Sequence, residues 1–227
     1  MFYLHSFKRP AMLFLLTGTL SATASIAIVD VYPPGDTGSF EEEHGNGMIG
    51  WNFKIKKPLV VTQVGWYDAG GDGLAEGLGN MWRVGLWQDP TGGDFAPGTA
   101  AVQLLGSNGN GIFIPPGTSA ELQDVWRVVT LPAPLTLQPG SYQIAGLDSF
   151  ERTDPILFVS GQKSNELVES GTFFWSAFSA GTFTYSSEYY LAYGVELGPM
   201  LFTVPEPSGQ ILIVLGMIIV LRRRSRG

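Results

Sequence analysis

Apolar and polar residues alternate with a period of two along 124–131, so that Val125, Arg127 and Val129 share one face of an extended chain and Trp126, Val128 and Thr130 share the other. The same pattern recurs from end to end of the central region. Gly, Pro and Asp break it every ten or so residues, and no helical stripe of any length interrupts it. This spacing predicts strands over 49–55, 59–67, 82–87, 101–105, 124–131, 141–147, 156–159, 189–197 and 200–204. After the fifth, Pro132-Ala133-Pro134 reads as a loop, Leu135-Thr136-Leu137 as a short strand and Gln138-Pro139-Gly140 as a tight turn. Short strands with regular turns predict an all-β fold, a β-sandwich of jelly-roll type. No internal repeat is visible.

The composition fits. The chain holds 30 glycines, 15 prolines and 12% aromatic residues, with 44% hydrophobic and only 15% charged residues. Turn-formers combined with flat side chains favour strands over helices. The absence of cysteine excludes disulfides, thiolate metal sites and cysteine nucleophiles, and two histidines (His5 and His44) exclude a histidine-rich metal cluster. Six of the 13 basic residues sit at the two ends, which leaves seven in the middle against 20 acidic ones. Such a body repels nucleic acid and suits an extracellular surface or a divalent cation.

Both ends read as addresses. Lys8 and Arg9 precede a short apolar run over 11–20, and Ala22-Thr23-Ala24 supplies the small-x-small pattern that a signal peptidase cuts after. Residues 1–24 are thus predicted to be a helical signal peptide, with a later cut after Ala27 left open. At the other end, Val204, Pro205, Glu206, Pro207 and Ser208 precede an apolar run over 211–221, followed by Arg222, Arg223, Arg224 and Arg226. The prolines stop a helix from running in from the body. The arginines keep the far end cytoplasmic, so the body lies outside the membrane.

In its order and position this C-terminus resembles the PEP-CTERM sorting signal of Gram-negative bacteria. The resemblance implies recognition by an exosortase, a membrane transpeptidase that cuts near the Pro-Glu-Pro and passes the protein to the cell surface or the exopolysaccharide matrix. The 14 residues from Ser208 to Leu221 make about 21 Å of helix, against ~30 Å of hydrocarbon. A helix that short is a poor permanent transmembrane anchor and a sufficient transient one. The expected organisation is a signal peptide over 1–24, a β-sandwich body over 25–203 and a sorting signal over 204–227.

Within the body, Val64-Gly-Trp-Tyr-Asp-Ala-Gly-Gly-Asp-Gly-Leu followed by Trp82-Arg-Val-Gly-Leu-Trp resembles a β-sandwich domain of unknown function found in exported bacterial proteins. The stretch Leu135-Thr-Leu-Gln-Pro-Gly-Ser-Tyr-Gln-Ile is similar to a later strand pair of that domain. The resemblance carries no activity, and the connection over 75–81 is longer here than is usual in the group.

Three places have the residue types for a site. Asp68, Asp72 and Glu76 recur at four-residue steps in a glycine-rich loop, where carboxylates and inward carbonyls could surround a structural calcium; the plain alternative is a set of solvated turn caps. Glu41, Glu42, Glu43 and His44 read as a solvated acidic loop or half of a metal site. Glu151 and Asp154 flank a loop and leave a two-carboxylate glycan hydrolase open, since separation in space decides that chemistry. Neither a G-x-S-x-G motif nor a phosphate-cradling loop is present. The region 171–190 reads as an aromatic loop, with Phe173, Phe174, Trp175 and Tyr185 as candidate glycan contacts; core packing is the competing reading.

The function expected is that of a non-catalytic structural or adhesive surface protein with no cofactor beyond the calcium option. A carbohydrate-binding module is the alternative and a secreted hydrolase the distant one. The expected partners are signal peptidase, exosortase and exopolysaccharide, with membrane contact through the C-terminal helix before processing and no nucleic acid.

Overall fold

The stretch Leu59–Tyr67 begins by alternating, with Leu59 buried, Val60 exposed and Val61 buried, and then runs buried from Val64 to Tyr67. Successive side chains of a strand point to opposite faces, so that end of the strand is covered on both. The computed structural model describes residues 25–29, 39–42, 47–75, 82–91, 100–106, 110–147, 156–160, 165–177, 183, 185 and 194–204. Within them the chain is all-β.

The first seven strands are β1 (Ile26–Ala27), β2 (Ser39–Glu42), β3 (Gly47–Ile55), β4 (Leu59–Tyr67), β5 (Arg83–Gln88), β6 (Val102–Leu105) and β7 (Ile112–Phe113). The rest are β8 (Glu121–Gln123), β9 (Trp126–Leu137), β10 (Gly140–Leu147), β11 (Ile156–Ser160), β12 (Val168–Ala177), β13 (Gly194–Leu197) and β14 (Pro199–Thr203). They form a five-stranded sheet ordered β1-β14-β4-β9-β8, a six-stranded sheet including β12-β3-β10-β5-β6 with β7 also on β5, and a three-stranded sheet ordered β13-β11-β2. The pairings within them are antiparallel.

The two larger sheets share one apolar core. Trp66 of β4 meets Trp82 at 5.1 Å between ring centroids and lies over Gly146 of β10. A Cβ on Gly146 would stand 1.9 Å from the Trp66 ring, so only glycine lets these layers approach. Trp51 of β3 donates its indole N–H to the Pro199 carbonyl of β14 across the same gap. Tyr67, pointing the other way from Trp66, meets Trp126 edge-on, and Trp126 meets Phe202. Edge-to-face contacts of this kind add to the burial of the rings themselves.

The edges of the five-stranded sheet, β1 and β8, are tied together. Ser25, just before β1, donates through Oγ to Gln123 Oε1 of β8 at 3.1 Å, and Gln123 Nε2 donates to the Ser25 carbonyl. The Ser25 hydroxyl also bonds Gln63 of β4. The sheet therefore curls until one edge reaches the other, which blunts edges that would otherwise invite pairing with another chain.

Several strand expectations need correction. The proline segment expected as a loop is inside β9. Val61 pairs with Leu135 and Gln63 with Thr130, so Leu131, Pro132, Ala133 and Pro134 form a bulge opposite Thr62. Neither proline has an N–H to leave unpaired there. The acidic loop also begins as strand: Glu41 and Glu42 belong to β2, opposite Leu157 and Ile156. The first seven residues of the expected aromatic loop are strand as well, in β12 against β3. The strand expected over 189–197 is described from Gly194 onward. Among the described residues no helix is long and apolar enough to cross a membrane. The proposed signal peptide over 1–24 and the apolar run over 211–221 lie outside those residues.

Candidate functional site

The glycine-rich loop after β4 is built around a buried charge pair. Asp68 leaves the strand with its N–H bonded to the Val125 carbonyl, and a 3-10 turn follows over Ala69–Gly71. Gly70, Gly71 and Gly73 have φ of +77°, +73° and +112°, a left-handed region that suits glycine. Gly73 has a second reason to lack a side chain, since a Cβ there would come within 2.7 Å of the Gly117 backbone. Leu74 and Gly117 bond each other in both directions and close the loop onto the chain ahead of β8.

This course turns the Asp68 carboxylate inward. It accepts the Arg127 Nε–H at 2.6 Å and the Gly73 N–H at 3.2 Å to each oxygen. Arg127 also donates to the carbonyls of Gly71 at 2.9 Å and Ala120 at 3.2 Å. The pair is deeply buried, with side-chain exposures of 0% for Asp68 and 6% for Arg127. The planar guanidinium thus fastens the glycine-rich loop and the Ala120 carbonyl to β9, work that a point-charged ammonium does poorly.

Of the proposed calcium ligands, Asp68 is engaged in this pair, Asp72 is exposed and Glu76 lies outside the described residues. A cation using Asp68 would have to displace a guanidinium already neutralising it. Among the described residues no group of three or more His, Asp or Glu side chains is gathered as for a metal. The arrangement does the chemistry of a clasp: a carboxylate and a guanidinium facing each other, with the carboxylate side chain withdrawn from solvent.

The aromatic region places its residues in two ways. Backbone register puts Phe173, Phe174 and Trp175 of β12 opposite Trp51, Gly50 and Ile49 of β3. Tyr185 is half-buried, and its hydroxyl donates to Asp89 Oδ2. Two residues earlier, Phe183 is 3% exposed and packs edge-on against Trp87 at 5.4 Å. Its ring fills a slot that glycine makes: a Cβ on Gly85 would stand 2.7 Å from it, and one on Gly111 2.5 Å. Asp89 receives Tyr185 while its other oxygen accepts the Thr91 N–H and hydroxyl, so it ties Tyr185 to the turn after β5. Phe183, Trp87, Met48, Ala145 and Leu147 form a second apolar cluster apart from the main core.

Val204 is exposed just past β14. Pro205, Glu206, Pro207, Ser208, Arg222, Arg223, Arg224 and Arg226 lie outside the described residues, as do Glu43, His44, Glu151 and Asp154. Sequence reasoning missed both polar anchors, Asp68–Arg127 and Asp89–Tyr185. A signal for the first was present, because Arg127 is the lone charge inside Val125-Trp-Arg-Val-Val and a buried charge needs a partner. No family model, curated protein or solved structure matches the chain.

Proposed function

We propose that the chain is an exported β-sandwich protein, sorted by an exosortase to the cell surface or exopolysaccharide matrix of a Gram-negative bacterium. Its body has a structural or adhesive, non-catalytic role there. The reading rests above all on the order of the sequence: a charged and apolar leader ending in small residues, a β body, then Val204-Pro-Glu-Pro-Ser, an apolar run and four arginines. The sandwich reading is supported by the shared core of the two larger sheets.

The arrangement of the ends favours it too. Ile26 pairs with Thr203, and Ala27 with Phe202, so the leader and the sorting signal join the body at neighbouring points. Two apolar segments leaving side by side can enter the same face of one membrane. The structural role is supported by the inward use of polar groups, with Asp68 spent on Arg127 and Asp89 on Tyr185 and Thr91. Trp51, Trp66, Trp82, Trp87 and Trp126 are all spent on packing.

Mass spectrometry of the surface form tests the sorting. The expected C-terminus falls within 205–208, and an intact arginine tail on that form overturns exosortase processing. A glycan array with the surface form is expected to stay silent, and a specific hit would move the role to carbohydrate binding.

A further inference from the structure

We infer that the leader is cut between Ala24 and Ser25, and that Ser25, as the new N-terminus, fastens the two edges of the five-stranded sheet. This rests on the export reading above. The sequence offers two small-x-small sites three residues apart, Ala22-Thr23-Ala24 and Ser25-Ile26-Ala27. Geometry separates them.

Ser25, Ile26 and Ala27 are working parts of the body. Ile26 and Ala27 pair with Thr203 and Phe202 of β14, and Ser25 bonds Gln63 and both ends of the Gln123 amide. A cut after Ala27 removes β1 and the bridge to β8. It turns β14, whose five residues are all buried, into an open edge.

The charge created by each cut points the same way. Cleavage converts a neutral amide nitrogen into an α-ammonium. At Ile28 that nitrogen donates to the Leu201 carbonyl at 3.0 Å and belongs to a residue of the apolar core. At Ser25 the ammonium forms on a half-buried residue whose side-chain hydroxyl already bonds the amide oxygens of Gln63 and Gln123. The first cut puts the new charge on a residue already set among polar side chains, and the second on a residue of the apolar core.

The test is to express the full chain in a Gram-negative host and read the N-terminus of the exported form by intact mass and N-terminal sequencing. A start at Ser25 is expected. A start at Ile28, or at any other exported terminus, overturns the inference and leaves the export reading standing; an uncut chain beginning at Met1 in the cytosol overturns both. Ala24→Leu supplies a second readout. Accumulation of the uncut variant at the membrane supports the assignment, as does a product starting at Ile28 that melts about 5 °C or more below the parent. A product starting at Ile28 with an unchanged melting temperature sinks the fastening role of Ser25 and β1.

Discussion

Replacing Arg127 by methionine removes the cation and keeps much of the apolar stem. The Asp68 carboxylate then keeps only the Gly73 N–H, and the carbonyls of Gly71 and Ala120 each lose a donor. The two carbonyl bonds are worth about 1 kcal/mol each. With the buried carboxylate left uncompensated, the whole cost comes to about 3–5 kcal/mol, the range for breaking a buried pair from one side. Arg127→Lys keeps the charge but cannot span three acceptors, so it should lose one or two of these bonds, about 1–2 kcal/mol. Asp68→Leu strands the guanidinium and should cost as much as Arg127→Met. The double variant carries no buried charge, so its loss should fall short of the summed single losses by about 2 kcal/mol or more. Urea denaturation at neutral pH, followed by tryptophan fluorescence, measures all four chains, with unchanged slopes confirming that stability alone has moved. An Arg127→Met cost below about 1 kcal/mol, or single losses that add to within about 0.5 kcal/mol, would refute the clasp.

Gly146→Ala drives a methyl into the Trp66 ring and should cost about 3 kcal/mol or more, whereas Gly70→Ala, in open space but at φ +77°, should cost about 1–2 kcal/mol; reversing that order in the same denaturation assay would contradict the layer contact. Phe183→Ala empties the glycine slot and should cost about 3–5 kcal/mol, while Gly85→Ala in that background should cost less than in the parent, and strict additivity would show that the ring does not fill the slot. Burial raises the Tyr142 phenol above its usual value of about 10, so the folded chain holds that proton more tightly than the unfolded one. Its contribution is complete below pH ~10 and lost as pH rises through the folded value; Tyr142→Phe should flatten the alkaline limb of stability against pH, and superimposable limbs would remove the argument. Calcium should leave the melting temperature of the parent unchanged, because Arg127 occupies Asp68, and a calcium-dependent rise reversed by EDTA would restore the loop as a cation site.

Much of the fold was legible because alternation survives wherever one face of a strand is more buried than the other. The expected strand over 59–67 matches β4 in full, and the one over 141–147 misses β10 by a single residue. Legibility failed where the local rule was broken by a distant partner. Pro132 and Pro134 look like a strand end until the ladder to β4 shows a bulge in which their missing N–H groups cost nothing. The aromatic crowding after Gly171 looked like a loop, although the backbone of Phe173, Phe174 and Trp175 runs in β12 opposite β3. The loop acids were visible as a group, yet which of them turns inward depends on Arg127, fifty-nine positions away. Spacing within a loop says nothing about a cation supplied by another strand. The anchoring of Phe183 and Tyr185 had no local sign, since their partners Gly85, Gly111 and Asp89 are contributed by β5 and its neighbours.

Under the proposed attachment through the C-terminus, the placing of β14 between β1 and β4, antiparallel to both, has a mechanical consequence. Val204 leaves beside the start of β4, while the Asp68 loop lies at the far end of that nine-residue strand, about 27 Å on. Tension between an attachment at Val204 and a load on that loop pulls β14 lengthwise along both neighbours. The hydrogen bonds on either side then lie across the force and share it, instead of opening one after another from an end. A body moored in this way resists as a ladder in shear and gives way only when the whole ladder slides.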